Sequence, residues 1–172
     1  AQKNQYHCSR LGPEHIEAIS RVLSHTEHRQ NFSNKIDSSL LAKALSLIGP
    51  ESFRCYGAWS QSNELVSVRI DLFRKGLVAL DWLAGTMESH MTSGVTQMLI
   101  FYALSDLASA GCTDFDFCGA TMKHIGTAKA SWGGQLMPFY TFRKRDLSYL
   151  IENNRAVGRM LIKRWLKQKS TD

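Results

Sequence analysis

Three short apolar strands, a long apolar-striped helix and a further strand follow one another between residues 53 and 117, and few folds accommodate that order. The strands span 53–60, 65–73 and 77–84, separated by the polar turns Gln61-Ser62-Asn63-Glu64 and Arg74-Lys75-Gly76. Turns this short predict an antiparallel meander. In the second strand Val66, Val68, Ile70 and Leu72 alternate with Ser67, Arg69, Asp71 and Phe73. A loop from Gly85 to Gly94 then leads into a helix that begins at about Thr92 or Ser93 and runs to Ala110. Its stripe is Val95, Met98, Leu99, Tyr102, Ala103, Leu107 and Ala110, and Gly111 is its stop. A strand over 113–117 follows. Strand, loop, helix and strand make a crossover, which favours a parallel pair.

The flanking segments extend this pattern. Residues 6–10 read as a first strand, and Gly12-Pro13-Glu14 opens a helix whose Ile16, Ile19, Val22 and Leu23 recur at helical spacing. Asp37 or Ser38 caps a second helix with Leu40, Leu41, Ala44, Leu45 and Ile48 as its stripe, and Gly49-Pro50 ends it. A short helix over 125–132, a strand over 136–143 and a helix over 146–169 complete the chain. The expected class is α/β (α+β): one domain of 172 residues, with a mixed, mainly antiparallel sheet flanked by helices.

Net charge is +6 and the basic excess falls late, at Arg143, Lys144, Arg145, Arg155, Arg159, Lys163, Arg164, Lys167 and Lys169. Such an excess fits a phosphate-bearing partner, a cofactor or tRNA, and equally a solvated helix face. No apolar run approaches membrane-spanning length, and AQKNQYHCSR holds no signal-peptide core, so a cytoplasmic protein is expected. Ala1 in first place reads as a processed end or as part of something longer. Cys8, Cys55, Cys112 and Cys118 lack CxxC spacing, and His25 and His28 lack a third ligand nearby, so the expectation is reduced thiols and no metal.

One stretch carries a family likeness. Asp116-Phe117-Cys118-Gly119, Lys129, Trp132-Gly133-Gly134 and Phe139-Tyr140 form a turn, a lysine and an aromatic-Gly-Gly before an aromatic strand. This resembles the C-terminal region of the GNAT domains in Fem-type (FemAB-like) aminoacyltransferases and related acetyltransferases. The match covers residues 113–140; upstream, only the order of elements agrees. Ala128 stands where the family usually has an aromatic. The resemblance implies a GNAT-like fold and N-acyl transfer, with Lys129 as the matching functional lysine. Fem-type proteins carry two GNAT domains, so the chain would be one half of such a tandem.

The donor implied is acetyl-CoA or another acyl-CoA, with aminoacyl-tRNA, as in cell-wall cross-bridge synthesis, as the alternative. A GNAT-shaped, non-catalytic binding domain is a third reading. The acceptor expected is an amine-bearing small molecule or peptide. GNAT enzymes seat the CoA pyrophosphate on the helix after the fourth strand, in a Gln/Arg-x-x-Gly-x-Gly/Ala loop. Met91-Thr92-Ser93-Gly94-Val95-Thr96 aligns only the first Gly, so the amides of Ser93, Gly94 and Val95 are either the cradle or an ordinary helix cap.

Acyl transfer to an amine needs a proton acceptor, a cation or dipole for the developing oxyanion, and a donor held nearby. His90 and Glu88 are candidate proton acceptors or plain loop residues. Lys129 is a candidate cation or a surface lysine. Asp116 is a candidate base or acceptor-positioning group, or it closes the turn at Gly119 through its backbone. Tyr140 is a candidate proton donor to the leaving group, or packing. Asp81, unusual inside a strand, is an active-site carboxylate or the cross-strand partner of Arg69.

Overall fold

The computed structural model describes residues 6–32, 35–119, 123–138 and 140. The chain divides into two compact units, 1–134 and 135–172. In the first, five strands form one sheet in the order β1-β2-β3-β4-β5. They are β1 (His7–Leu11), β2 (Phe53–Trp59), β3 (Leu65–Leu72), β4 (Ala79–Thr86) and β5 (Phe115–Asp116). The first four pair antiparallel, and β5 runs parallel to β4. Helices α1 (Ile16–Gln30) and α2 (Ser38–Ile48) lie between β1 and β2 in sequence, α3 (Val95–Ser109) between β4 and β5, and α4 (Lys123–Ala130) after β5. This is the mixed, mainly antiparallel sheet flanked by helices that the pattern predicts.

Local chemistry sets the helix ends. Asp37 caps α2 by accepting from the Leu40 amide at 2.8 Å. The chain leaves α1 through Asn31 in the left-handed region, at φ 53°. The sheet then separates two apolar clusters. Ile19, Val22, Leu23 and Leu41 of α1 and α2 pack on Val68 and Ile70. Val95, Leu99, Ala103 and Leu107 of α3 pack with Tyr56, Ala58, Val66 and Phe73. Met87, just past β4, touches both clusters. Truncating Ile70 or Leu99 to alanine costs about 2–5 kcal/mol, because a packed core relaxes only partly around the space.

A charged anchor holds α3 to the sheet. Asp106 accepts from Arg54 at 2.7 Å and from the Tyr56 hydroxyl at 2.8 Å. The Arg54 guanidinium also lies 4.7 Å from the centre of the Phe73 ring.

Several boundaries differ from expectation. The third meander strand begins at Ala79, because Leu77 is spent in a turn, its amide donating to Arg74. The long helix begins at Val95. Residues Glu88–Ser93 form a 3-10 helix instead, and Gly94, at φ 80°, separates the two. The short helix starts two residues early, at Lys123. In the second unit, residues 135–138 and 140 belong to no helix or strand. The remainder of the strand expected at 136–143, and the basic helix expected at 146–169, lie outside the described residues.

Candidate active site

The site begins where two strands part. β4 and β5 pair only at Ala79–Phe115 and Leu80–Asp116, after which β4 continues to Thr86 while β5 ends at Asp116. The result is a wedge with Asp81 as the first β4 residue beyond the last pair. A bulge reinforces it. Ile70 faces Leu83 and Asp71 faces Asp81, so Trp82 is the extra residue on β4. Such a bulge re-aims side chains and bends the strand. From Asp81 to Thr86 the strand spans roughly 17 Å at the usual rise.

At the apex, β3 brings two charges under α3. Alternation along β3 sets Ser67, Arg69 and Asp71 on one face, and all three are buried. Arg69 lies 2.6 Å from Asp81 and 3.5 Å from Asp71, and the rings of Phe115 and Phe117 cover its guanidinium. The cross-strand Arg69–Asp81 pair is therefore formed. Asp71 is the member that sequence reasoning missed. Its signal was the spacing: two residues from Arg69 on one strand puts both on one face. Burial is the main cause that pushes the Asp71 carboxyl up to about 7, opposed by Arg69 and reinforced by Asp81. Burial also raises Asp81, against the pull of Arg69 and Lys129.

The turn after β5 gathers Asp116, Cys118 and Lys129. Asp116 accepts from the Cys118 amide at 2.7 Å, and Cys118 sits at φ 56°. The Lys129 ammonium, reaching back from α4, donates to the carbonyls of Phe117 and Gly119. An ammonium has three N–H groups, so one remains beyond these bonds. Burial first, then Asp116, holds the Cys118 thiol above its ordinary value, which makes it a poor nucleophile.

The opposite end of the wedge is the connection from β4 to α3. Ser93 donates to the His90 carbonyl at 2.6 Å and accepts from the Val95 amide at 3.3 Å. One of the first amides of α3 is thus already engaged. The others have no partner within the helix, by its geometry. The His90 ring bonds the Tyr6 hydroxyl through Nδ1 at 2.6 Å. Behind this end, hydroxyls link four elements. Thr86 bonds Thr26 of α1 through its amide, and Ser67 of β3 and Thr96 of α3 through its own hydroxyl.

The structure therefore brings Asp116 and Lys129 together at one end of the wedge, and His90, Ser93, Gly94 and Val95 at the other. Tyr140 falls in the second unit, outside any helix or strand. Among the described residues, no group of three or more His, Cys, Asp or Glu is placed to hold a metal, and no helix is long and apolar enough to cross a membrane.

No protein-family model matches the sequence, and no curated protein matches it. Solved structures do match. An aminoglycoside acetyltransferase from an uncultured soil metagenomic sample, in complex with sisomicin, is 16% identical over 84% of this chain and 100% of its own, with a TM-score of 0.64. AAC(6')-Iy in complex with the bisubstrate analogue CoA-S-monomethyl-acetylneamine is 13% identical over 83% of this chain and 99% of its own, with a TM-score of 0.64. A ribosomal-protein-alanine N-acetyltransferase from Brucella melitensis biovar Abortus 2308 is 13% identical over 82% of this chain and 99% of its own, with a TM-score of 0.60. At these identities the likeness is one of fold, and the fold is that of GNAT acetyltransferases.

Proposed function

We propose that this chain is an N-acyltransferase that moves an acyl group from acetyl-CoA, or another acyl-CoA, directly to an amine. The observation that carries the reading is that β4 runs without β5 as a partner from Asp81 onward and leads through Glu88–Ser93 into the start of α3. An extended pantetheine arm suits such a wedge, since the free edge of β4 offers main-chain donors and acceptors. The pyrophosphate then meets the first amides of α3, where the helix dipole favours an anion. Gly94 adds no Cβ there, and Ser93 fixes the loop.

In the reaction the neutral amine attacks the thioester carbonyl. The C–N bond forms, the C–S bond breaks, and the thiolate leaves with a proton from the nitrogen. Lys129 has one N–H to offer the oxyanion. His90, held through Nδ1 by Tyr6, stands at the α3 end beside Ser93 and the proposed pyrophosphate site, and the proton-transfer step is not assigned to it. Asp116, whose Oδ1 closes the turn, orients Phe117 and Cys118 and contributes negative charge near Asp81. Neighbours that act on aminoglycosides and on a ribosomal protein's alanine favour an amine-bearing small molecule or peptide as acceptor. The Fem-type likeness rests on residues 113–140, and nothing in the neighbours speaks for its aminoacyl-tRNA donor. An acyl-CoA donor is in keeping with the expected cytoplasmic location.

Thermal unfolding with and without acetyl-CoA tests the reading. Protection should grow with ligand concentration, by about 2.7 kcal/mol at a hundredfold excess over Kd. No protection at millimolar acetyl-CoA would overturn it.

A further inference from the structure

The apex of the wedge has a charge deficit that an amine substrate would fill. Asp71 and Asp81 stand directly opposite on adjacent strands, and Arg69 between them is the cation that pairs with both among the described residues. Side-chain exposure is 4% for Arg69, 0% for Asp71 and 11% for Asp81. Both oxygens of Asp71, and Oδ1 of Asp81, have no hydrogen-bond partner among the described residues. Two buried carboxylates beside one guanidinium reach neutrality in one of two ways: a proton on the pair, or a second cation.

Arg54 of β2 stands opposite Asp71, but its guanidinium is paired with Asp106 and Glu51, and the other surrounding groups do not supply that cation. From β5, Asp116 acts on Asp81 in the unfavourable sense; from α4, Lys129 acts in the favourable one, with its ammonium committed to the Phe117 and Gly119 carbonyls. Cys55 of β2 and Cys118 also feel the aspartates, and both thiols are raised, Cys55 to about 12, so neither changes the charge near neutrality. Asp81, at the apex, is the member of the pair nearest the opening.

We propose that the Asp71–Asp81 pair is the seat of the acceptor's ammonium group, so that the substrate class is a primary alkylamine bound as its cation. Resting on the acyl-transfer reading, this names its substrate. The arriving ammonium displaces the proton the pair otherwise holds, and the cluster stays neutral throughout. One ammonium proton then passes to the Asp81 carboxylate and stays there, which restores the proton the pair held before. The neutral amine attacks the thioester, and a second nitrogen proton leaves on the CoA thiol. An acceptor hydroxyl, with no charge to match the deficit, is excluded.

The test is carboxyl 13C NMR of the whole chain near neutral pH, titrated with ethylammonium chloride against sodium chloride at equal ionic strength. Ethylammonium should move the Asp71 resonance to its ionised position, sodium should not, and Asp81→Asn should require about tenfold more ethylammonium or more. If Asp81→Asn does not fold, calorimetry of Asp71→Asn in buffers of different ionisation enthalpy replaces it. The wild type should release a proton on binding ethylammonium, and this variant should bind it without release. Ethylammonium acting no better than sodium on the wild type, or equally well on Asp81→Asn, overturns the proposal. Acetyl-CoA protection is measured separately. Protection with an unmoved Asp71 leaves acyl transfer standing and removes the ammonium seat, while the reverse removes acyl-CoA and keeps the seat.

Discussion

The ammonium of Lys129 donates to the carbonyl of Gly119 at 2.7 Å, and to that of Phe117, so one side chain stitches α4 to the end of β5. Lys129→Met removes both bonds. The expected loss is about 1–2 kcal/mol in urea unfolding, since the site is partly exposed. Amide exchange at Cys118 should quicken, because its turn loses its outer support. If the remaining N–H also serves the oxyanion, kcat falls by about 10²-fold while acetyl-CoA affinity holds. A variant that loses stability with kcat intact would leave Lys129 a purely structural residue.

Asp106 carries a separate prediction. Arg54 is 5% exposed and depends on Asp106 for its close ion pair, with the Glu51 carboxylate farther off at 3.4 Å. Asp106→Ala should destabilise by about 3 kcal/mol, by leaving a buried guanidinium poorly compensated. Tyr56→Phe, which removes one donor from the same carboxylate, should cost about 1 kcal/mol. Chemical denaturation of the two variants checks the order; equal losses would contradict it.

Gly94 tests the connection at the α3 end. Its φ of 80° is a left-handed conformation, so any side chain there strains the backbone. Gly94→Ala should cost about 1–2 kcal/mol in folding, and Gly94→Asn less. Acetyl-CoA affinity, measured where both variants are fully folded, should fall in both, since the new Cβ crowds the first amides of α3. An unchanged Kd would place the pyrophosphate elsewhere.

Asp71 predicts the pH dependence of stability. Its folded carboxyl is raised from 3.8 to about 7. Between those values the unfolded chain binds fewer protons than the folded one, so stability falls as pH rises and levels off above about 7. The slope contributed is at most about 1.4 kcal/mol per pH unit. Asp71→Asn should flatten this part of the curve. Denaturant midpoints at several pH values from 4 upward measure it; an unchanged slope would show that Asp71 is ionised throughout.

The meander and the crossover were legible because alternation in β2 to β4, short polar turns and the Gly111 stop are local signals. The parallel pairing of β5 followed from the crossover alone. What covers each face was not local. Alternation on β3 set Ser67, Arg69 and Asp71 on one face without saying what covers it, and only the packing across that face reveals them as buried. Nor does sequence display the bulge at Trp82, which sets Asp71 against Asp81. Lys129 and Asp116 were nominated from a motif and Gly119 marked the turn, but that Cys118 is the left-handed residue there, and that the carbonyls on either side of it hold Lys129, is not written in the sequence.

The two apolar clusters on either face of the sheet meet at Met87. A truncation beneath α1 and one beneath α3 should therefore cost the same together as apart, to within about 0.5 kcal/mol, so long as Met87 keeps its place. Shortening Met87 reports on both faces at once, and it lies where β4 gives way to the loop that leads into α3. Substitutions beneath α1 and substitutions beneath α3 can then accumulate as separate mutational lineages, which meet at this residue and at the Thr26–Thr86–Thr96 hydroxyls.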